Sequence, residues 1–336
     1  MYSRNTFDAA DPQWLAHRYE PGRDQLLYRF VPRAMHADGP FLTDELVGAQ
    51  PSHVADRAAG VAAARAHAAP LHFIFHSAFC ASTLLVRALD RPGVAMGLSE
   101  PVLLNDVTGI RRRGERTGAD LARLLDEAMA LLARPWGAGE SVVVKPSNIL
   151  CALQRPMLAL RPDARAVLLH APLRVFLTSV ARKGLWCRLW VRELLEGLLR
   201  DGLVDLGFAP DDFFRMSDLQ VAAVGWLAQH RQFAMLVQQF PDRVRTLDSE
   251  RLMADPAAAI GRAAALFGLP ADGVGEHAAM ARHSKTGAAF TPSDRAREHA
   301  DAMAAHRDEI EKVKAWALVI AERSGIALDL KAPLLP

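Results

Sequence analysis

The stretch Leu71–Leu89, "LHFIFHSAFCASTLLVRAL", decides the fold. Its first six residues are aromatic and β-branched, the composition of a buried strand. They run through small and polar residues, Ser77 to Ala81, into a segment with helical apolar spacing. A strand that turns in this way into a helix presents unpaired backbone N–H groups and the positive end of the helix dipole, which together suit an anion such as phosphate. Ser77, Ser82 and Thr83 add hydroxyls. Set on the nucleotide-binding template G-x-x-x-x-G-K-[ST], "HSAFCAST" (76–83) keeps the spacing, but His76 and Ala81 stand for the glycines and Ser82 for the lysine. A phosphate-binding turn fits these residues; an ATP or GTP hydrolase built on the lysine does not. A Rossmann-like connection that binds nothing fits the stretch equally well.

Further strands follow at "GVAMG" (93–97), "SVVVK" (141–145), "ARAVLLH" (164–170) and "RVRTLD" (243–248), each short and largely non-alternating, as in a parallel sheet covered on both faces. Helical periodicity marks 119–134, 189–202, 218–240 and 301–325, the last ending at Gly325. This alternation predicts an α/β fold with a central parallel sheet of about five strands flanked by helices, and the phosphate-binding reading of 76–83 would make it a three-layer fold of P-loop type. Residues 1–70 read as an N-terminal extension packing on that core, with the alanine-rich stretch 54–70 as a helix against the sheet, and residues 71–336 as the α/β domain. Residues 201–217 read as a loop with the makings of a lid.

The 336 residues carry 40 Lys and Arg against 38 Asp and Glu, a net charge of +2. That balance gives no global field for nucleic acid or an anionic membrane, so any anion site must be local. Cys80, Cys151 and Cys187 are too few and too scattered for a disulfide framework or a zinc site, which points to a reduced, cytoplasmic protein. The N-terminus lacks an apolar signal run and no segment reads as a membrane span. Cys80 reads as a small apolar filler.

Ligands of open α/β sheets bind at the carboxyl ends of strands. Those ends are polar throughout: Ser99 and Glu100 after the second strand, Lys145, Ser147 and Asn148 after the third, and His170, Arg174, Thr178, Ser179, Arg182 and Lys183 after the fourth. Glu100 before Pro101 also suits a helix start, and Lys145 at the end of an apolar run favours an anion role over a solvated charge. Trp226 and His230, one helical turn apart, read first as core with a polar edge.

The succession "S-x-x-x-C-A-S-T-L-L" after a strand, "SEP", "VVVKPSN", "ARAVLLHAPLRVFLTSVARKG" and "RVRTLDSERLMADPAAAIGRAAALFGLP" resembles the sulfotransferases that use 3′-phosphoadenosine 5′-phosphosulfate (PAPS), over roughly residues 70 to 325. The resemblance implies that PAPS is the co-substrate, without a metal, and that the other partner is a small-molecule acceptor with a hydroxyl or amine. It implies a 5′-phosphosulfate site at Ser77, Phe79, Cys80, Ala81, Ser82 and Thr83. It implies a 3′-phosphate site among His170, Arg174, Thr178, Ser179, Arg182 and Lys183. Glu100 is the first candidate for general base, Lys145 for the charge on the transferring group, with His76 beside them. The family usually carries Lys or Arg where this chain has Phe79, and glycine where it has Ala81. A nucleotide-binding or interaction module on the same fold without turnover therefore stands as an alternative, and an ATP-dependent kinase-like phosphotransferase as a further one. Phe79, Trp186, Trp190, Phe213 and Phe214 suit an apolar acceptor.

Overall fold

A computed structural model of the chain describes residues 6–270 and 292–335. Residues 1–5 of the predicted N-terminal extension, and residues 271–291 and Pro336 of the predicted α/β domain, lie outside the described residues. Three strands come first: β1 (Trp14–Glu20), β2 (Gln25–Phe30) and β3 (Ser52–Asp56). Five more follow: β4 (Leu71–His76), β5 (Ala95–Ser99), β6 (Ser141–Lys145), β7 (Ala166–His170) and β8 (Val244–Asp248). These five form one sheet in the order β5-β6-β4-β7-β8, and every neighbouring pair is parallel.

The sheet is buried on both faces because its strands are apolar at consecutive positions. Ile74, Val143, Val167 and Leu169 face one core with the helices Ser82–Leu89, Leu173–Arg182, Asp218–Gln239 and Pro256–Phe267. Phe73, Phe75, Val142, Val144 and Leu168 face the other, with the helices Val102–Arg112 and Gly118–Leu132. The strand period of two assigns neighbouring residues to opposite cores, and each large aliphatic or aromatic side chain so buried contributes about 1.5–3 kcal/mol. The expected α/β architecture with five parallel strands is what the chain adopts. The second strand starts two residues later than predicted, because Gly93 turns with φ +76°.

The N-terminal region carries a second, smaller sheet that packs on the core. β1, β2 and β3 form an antiparallel sheet in that order. Trp14, Leu15, Leu26 and Tyr28 join the second core. The Arg18 guanidinium bonds Asp106 of the helix Val102–Arg112 at 2.9 Å, and so does the Tyr19 N–H. The alanine-rich stretch is helical only over Arg57–Arg65, and it lies against the helix Gly118–Leu132 and the small sheet instead of the large one. Its first residues belong to β3, where extended pairing with β2 overrides alanine's helical preference.

Chain direction fixes where the sheet opens. β4 connects leftwards to β5 and β7 connects rightwards to β8, although β4 and β7 are neighbours. A crevice opens at the carboxyl ends of such a pair. Two segments from outside the sheet, one before it in the chain and one after, lie at this end. The backbone at Pro40–Leu42 is tied to β5 by Ser99 Oγ–H donating to the Pro40 carbonyl (2.6 Å) and by Leu42 N–H donating to the Ser99 carbonyl (2.7 Å). The C-terminal tail runs along β8, with Thr246 N–H bonded to the Ala332 carbonyl and Leu334 N–H to the Thr246 carbonyl.

Candidate active site at the carboxyl ends of the parallel strands

The turn after β4 has a backbone that L-residues avoid. Ala78, Phe79 and Ala81 have φ of +67°, +51° and +62°. Left-handed backbone at a residue with a Cβ costs about 1–2 kcal/mol, so three in four residues persist only because their surroundings over-determine them. The restraints are visible. Ser77 N–H donates to the Leu169 carbonyl (3.1 Å), and Ala171 N–H donates to Ser77 Oγ (3.1 Å), which stitches the turn to the end of β7. Cys80 is buried, and burial pushes its thiol up to about 11, so it is an inert filler. The Phe79 ring packs against Phe176 (5.8 Å between centroids) and Trp190 (5.4 Å).

The helix Ser82–Leu89 starts directly from this turn, and no side chain caps it. Its first N–H groups have no partner within the helix. Successive residues in such conformations turn N–H groups to one concave side, an anion-binding nest. Glycines usually supply this geometry; here packing of alanine, phenylalanine and cysteine does so. Ser77 stitches strands, while Ser82 and Thr83 are buried at the helix start.

Beside the turn, three adjacent strands bring together three residues singled out in the sequence. Register pairs Ser99 of β5 with Lys145 of β6, so Glu100 follows directly at the strand end. Lys145 Nζ–H donates to Glu100 Oε1 at 2.5 Å, and Glu100 N–H donates to the Lys145 carbonyl at 2.7 Å. The Lys145 side chain is fully buried, with its ammonium 4.7 Å from the centroid of the Phe41 ring. Glu100 has φ +52°, another left-handed non-glycine, and keeps 17 % of its side chain exposed. His76 Nδ1 accepts the Ala78 N–H at 3.1 Å, which leaves the proton on Nε2, 3.5 Å from Glu100 Oε1.

Electrostatics make this cluster an ion pair with a neutral histidine. Burial pushes the Glu100 carboxyl up, but the Lys145 charge and His76 outweigh it and hold the group at about 2. Burial, then the charge of Lys145, lowers the His76 pKa. Lys145 therefore acts through Glu100 and through its field, which reaches Cys80 in the turn, and presents no ammonium to solvent. Asn148 donates to Gln229 inside the core at 3.3 Å, away from acid–base work.

The β7 side holds the other candidates. His170 ends β7 and is buried; burial lowers it to about 4, and its Nδ1 lacks a hydrogen-bond partner. Its ring meets His230 edge-on at 5.3 Å, and His230 stacks on Trp226 at 4.2 Å. Trp226 donates to the Ala171 carbonyl, and His230 Nε2 lies 2.7 Å from the Leu328 carbonyl. These rings, Arg174, Asp248, Lys314 and Asp329 line a cavity of about 610 Å³. Trp226 and His230 are thus wall as well as core.

Arg174 is half-exposed and paired with Glu311 of the helix Pro292–Arg323. That pairing explains a cation near a helix start. Thr178 is fully buried and bonds the Arg174 carbonyl at 2.8 Å, and Ser179 is buried one residue on. Arg182 and Lys183 lie at the far end of that helix, where the Lys183 ammonium stands 5.6 Å from the Phe79 ring centroid. Of the aromatic candidates, Phe79 and Trp190 meet, Phe213 packs on Phe208, and Trp186 and Phe214 point to solvent. In the loop 201–217, Phe208 stacks on Trp316 and Asp201 is held by Arg111 and Arg112, so the segment is fastened at both points.

Four further residues of the site differ in how visible they are in the sequence. Asp248 follows the strand-end rule and was open to detection. Phe41, Lys314 and Asp329 carry no local signal, because long-range packing alone brings them here.

No family model matches the chain, and no curated protein matches it. Among the described residues, no helix is long and apolar enough to cross a membrane. A solved structure similar to this chain is that of a sulfotransferase from Alicyclobacillus acidocaldarius, at 19 % identity, covering 73 % of this chain and 96 % of that one with a TM-score of 0.39.

Proposed function

We propose that this protein is a sulfotransferase that moves the sulfuryl group of PAPS to a hydroxyl or amine of a small-molecule acceptor. The observation that carries the reading is the turn 77–81, whose three left-handed non-glycine residues open onto an uncapped helix N-terminus. Strain of this kind collects where a backbone is shaped for a ligand. The turn and the helix start would hold the 5′-phosphosulfate. The cavity at the ends of β7 and β8, the strand to which the turn is stitched and its neighbour, has the size of a nucleotide site, and its aromatic rings, His170 and Arg174 suit the 3′-phosphoadenosine end.

In the reaction, the acceptor oxygen or nitrogen attacks sulfur in line while the bond from sulfur to the bridging phosphate oxygen breaks, and the acceptor proton passes to a base. Glu100 fits that role as the exposed edge of the cluster, oriented by Lys145 and His76. Positioning and preorganised charge do the rest, with no covalent intermediate.

A second reading, a nucleotide-binding module without turnover on the same site, is favoured by Phe79, which places a ring where the transferring group needs charge. Thermal unfolding with adenosine 3′,5′-bisphosphate, beside ATP with magnesium, is the test. A ligand held only by the folded state at a hundred times its Kd stabilises it by about 2.7 kcal/mol. Stabilisation by the bisphosphate alone supports the PAPS reading, and an acceptor screen then separates turnover from binding. Response to ATP with magnesium alone points to a kinase-like enzyme. No response to either ligand refutes both nucleotide readings.

A further inference from the structure

The turn contains no cation, and Lys145, the nearest strand-end lysine, is sealed beneath it against Glu100. A second lysine approaches from the other side. Lys183 closes the helix Leu173–Arg182 and opens the helix Gly184–Arg200, and its ammonium stands over the ring of Phe79, the central residue of the turn. That ring is clamped by Phe176 and Trp190, one from each of these helices. An ammonium over an aromatic face gains about 0.5–2 kcal/mol, so Phe79 acts as a fixed seat for the lysine.

Resting on the PAPS reading, we infer that Lys183 is the catalytic cation of the turn: it binds the 5′-phosphosulfate from across the Phe79 ring. Phe79 is its positioning residue. The charge then comes from the helix junction after β7 and not from the turn itself. A single ammonium seated over the Phe79 ring can contact one end of the nucleotide and not both, and this separates the inference from a 3′-phosphate role for the same residue.

The test is calorimetric titration of the full chain with adenosine 3′,5′-bisphosphate and with adenosine 3′-monophosphate, which lacks the 5′-phosphate. In Lys183→Met, affinity for the bisphosphate falls about tenfold or more, as for loss of a charge-assisted contact, while affinity for the 3′-monophosphate holds. The double variant Lys183→Met with Phe79→Lys regains bisphosphate binding, since it returns a cation to the turn. Lys183→Met binding both ligands as the parent does overturns the inference and leaves the PAPS reading standing. Equal weakening for both ligands also overturns it, by assigning Lys183 to the 3′ end. If the unaltered protein binds neither nucleotide, the functional reading fails and the inference with it.

Discussion

Replacing Lys145 with methionine removes the buried partner of Glu100 while keeping most of the side-chain volume. The size of the effect follows from the carboxyl, which titrates at about 2 in place of 4.5. At 1.36 kcal/mol per pH unit, that difference corresponds to about 3 kcal/mol of folding stability. The folded value is the depressed one, so this contribution is present above pH 4.5 and is lost as pH falls towards 2. Without Lys145, the buried carboxylate is left facing only His76, and breaking a buried pair from one side costs about 3–5 kcal/mol. Burial then dominates and raises the carboxyl above its ordinary value, which makes the defect smallest in acid. Urea unfolding followed by tryptophan fluorescence should place Lys145→Met about 3 kcal/mol below the parent at pH 7, with the gap narrowing as pH falls through the carboxylate range. Combining Lys145→Met with Glu100→Gln should recover a large part of the loss, a coupling of about 2 kcal/mol or more. A gap under about 1 kcal/mol at pH 7, or one that widens in acid, refutes the pairing.

Ala81→Gly relieves a φ of +62° and should raise the urea midpoint by about 1 kcal/mol of stability after the entropy of glycine is set against the strain; an unchanged or lower midpoint means the turn is not strained. Burial holds His36, His72, His170 and His230 at about 4, below their ordinary 6.5, so unfolding takes up protons and stability falls as pH drops from 6.5 to 4. His72→Leu should flatten that slope by up to one proton, about 1.36 kcal/mol per pH unit; the parental slope in the variant refutes the assignment. With an acceptor in hand, the acid limb of kcat should lie at higher pH than that of kcat/KM, because bound donor adds negative charge beside Glu100. Coincident limbs, or a limb that survives Glu100→Gln, remove Glu100 as the base.

The parallel sheet was legible because burial on both faces writes itself as consecutive apolar residues, as in Val142–Val144 and Val167–Leu169. The N-terminal sheet was not. β1 reads "WLAHRYE", and its His17 and Arg18 break any apolar run; they are tolerated because Asp44 and Asp106, distant in sequence, pair with them. The same division runs through the site. Strand ends located His76, Glu100 and Lys145 one by one, but only the β5–β6 register reveals that the lysine and the carboxylate bond each other. Lys183 is the converse case. The sequence grouped it with the residues after β7, and only the packing of Phe79 between two helices carries it to the turn.

The two lysines divide the electrostatic work in a way that either alone could not. Lys145 is fully buried, so its charge is little screened, but most of it is balanced by Glu100 a hydrogen bond away. The cluster of Lys145, Glu100 and His76 is therefore close to neutral and neither attracts nor repels an arriving donor strongly. In the proposed transfer, movement of the acceptor proton to Glu100 would break that balance: the carboxylate would be neutralised and an uncompensated ammonium left beneath the turn. Positive charge thus develops under the anion as negative charge builds on the departing phosphate, so stabilisation grows along the reaction coordinate. Interactions stronger in the transition state than in the ground state are the ones that accelerate chemistry. On the proposed mechanism, the buried Lys145 thus supplies a charge that grows towards the transition state, while Lys183 supplies one already in place when the donor binds.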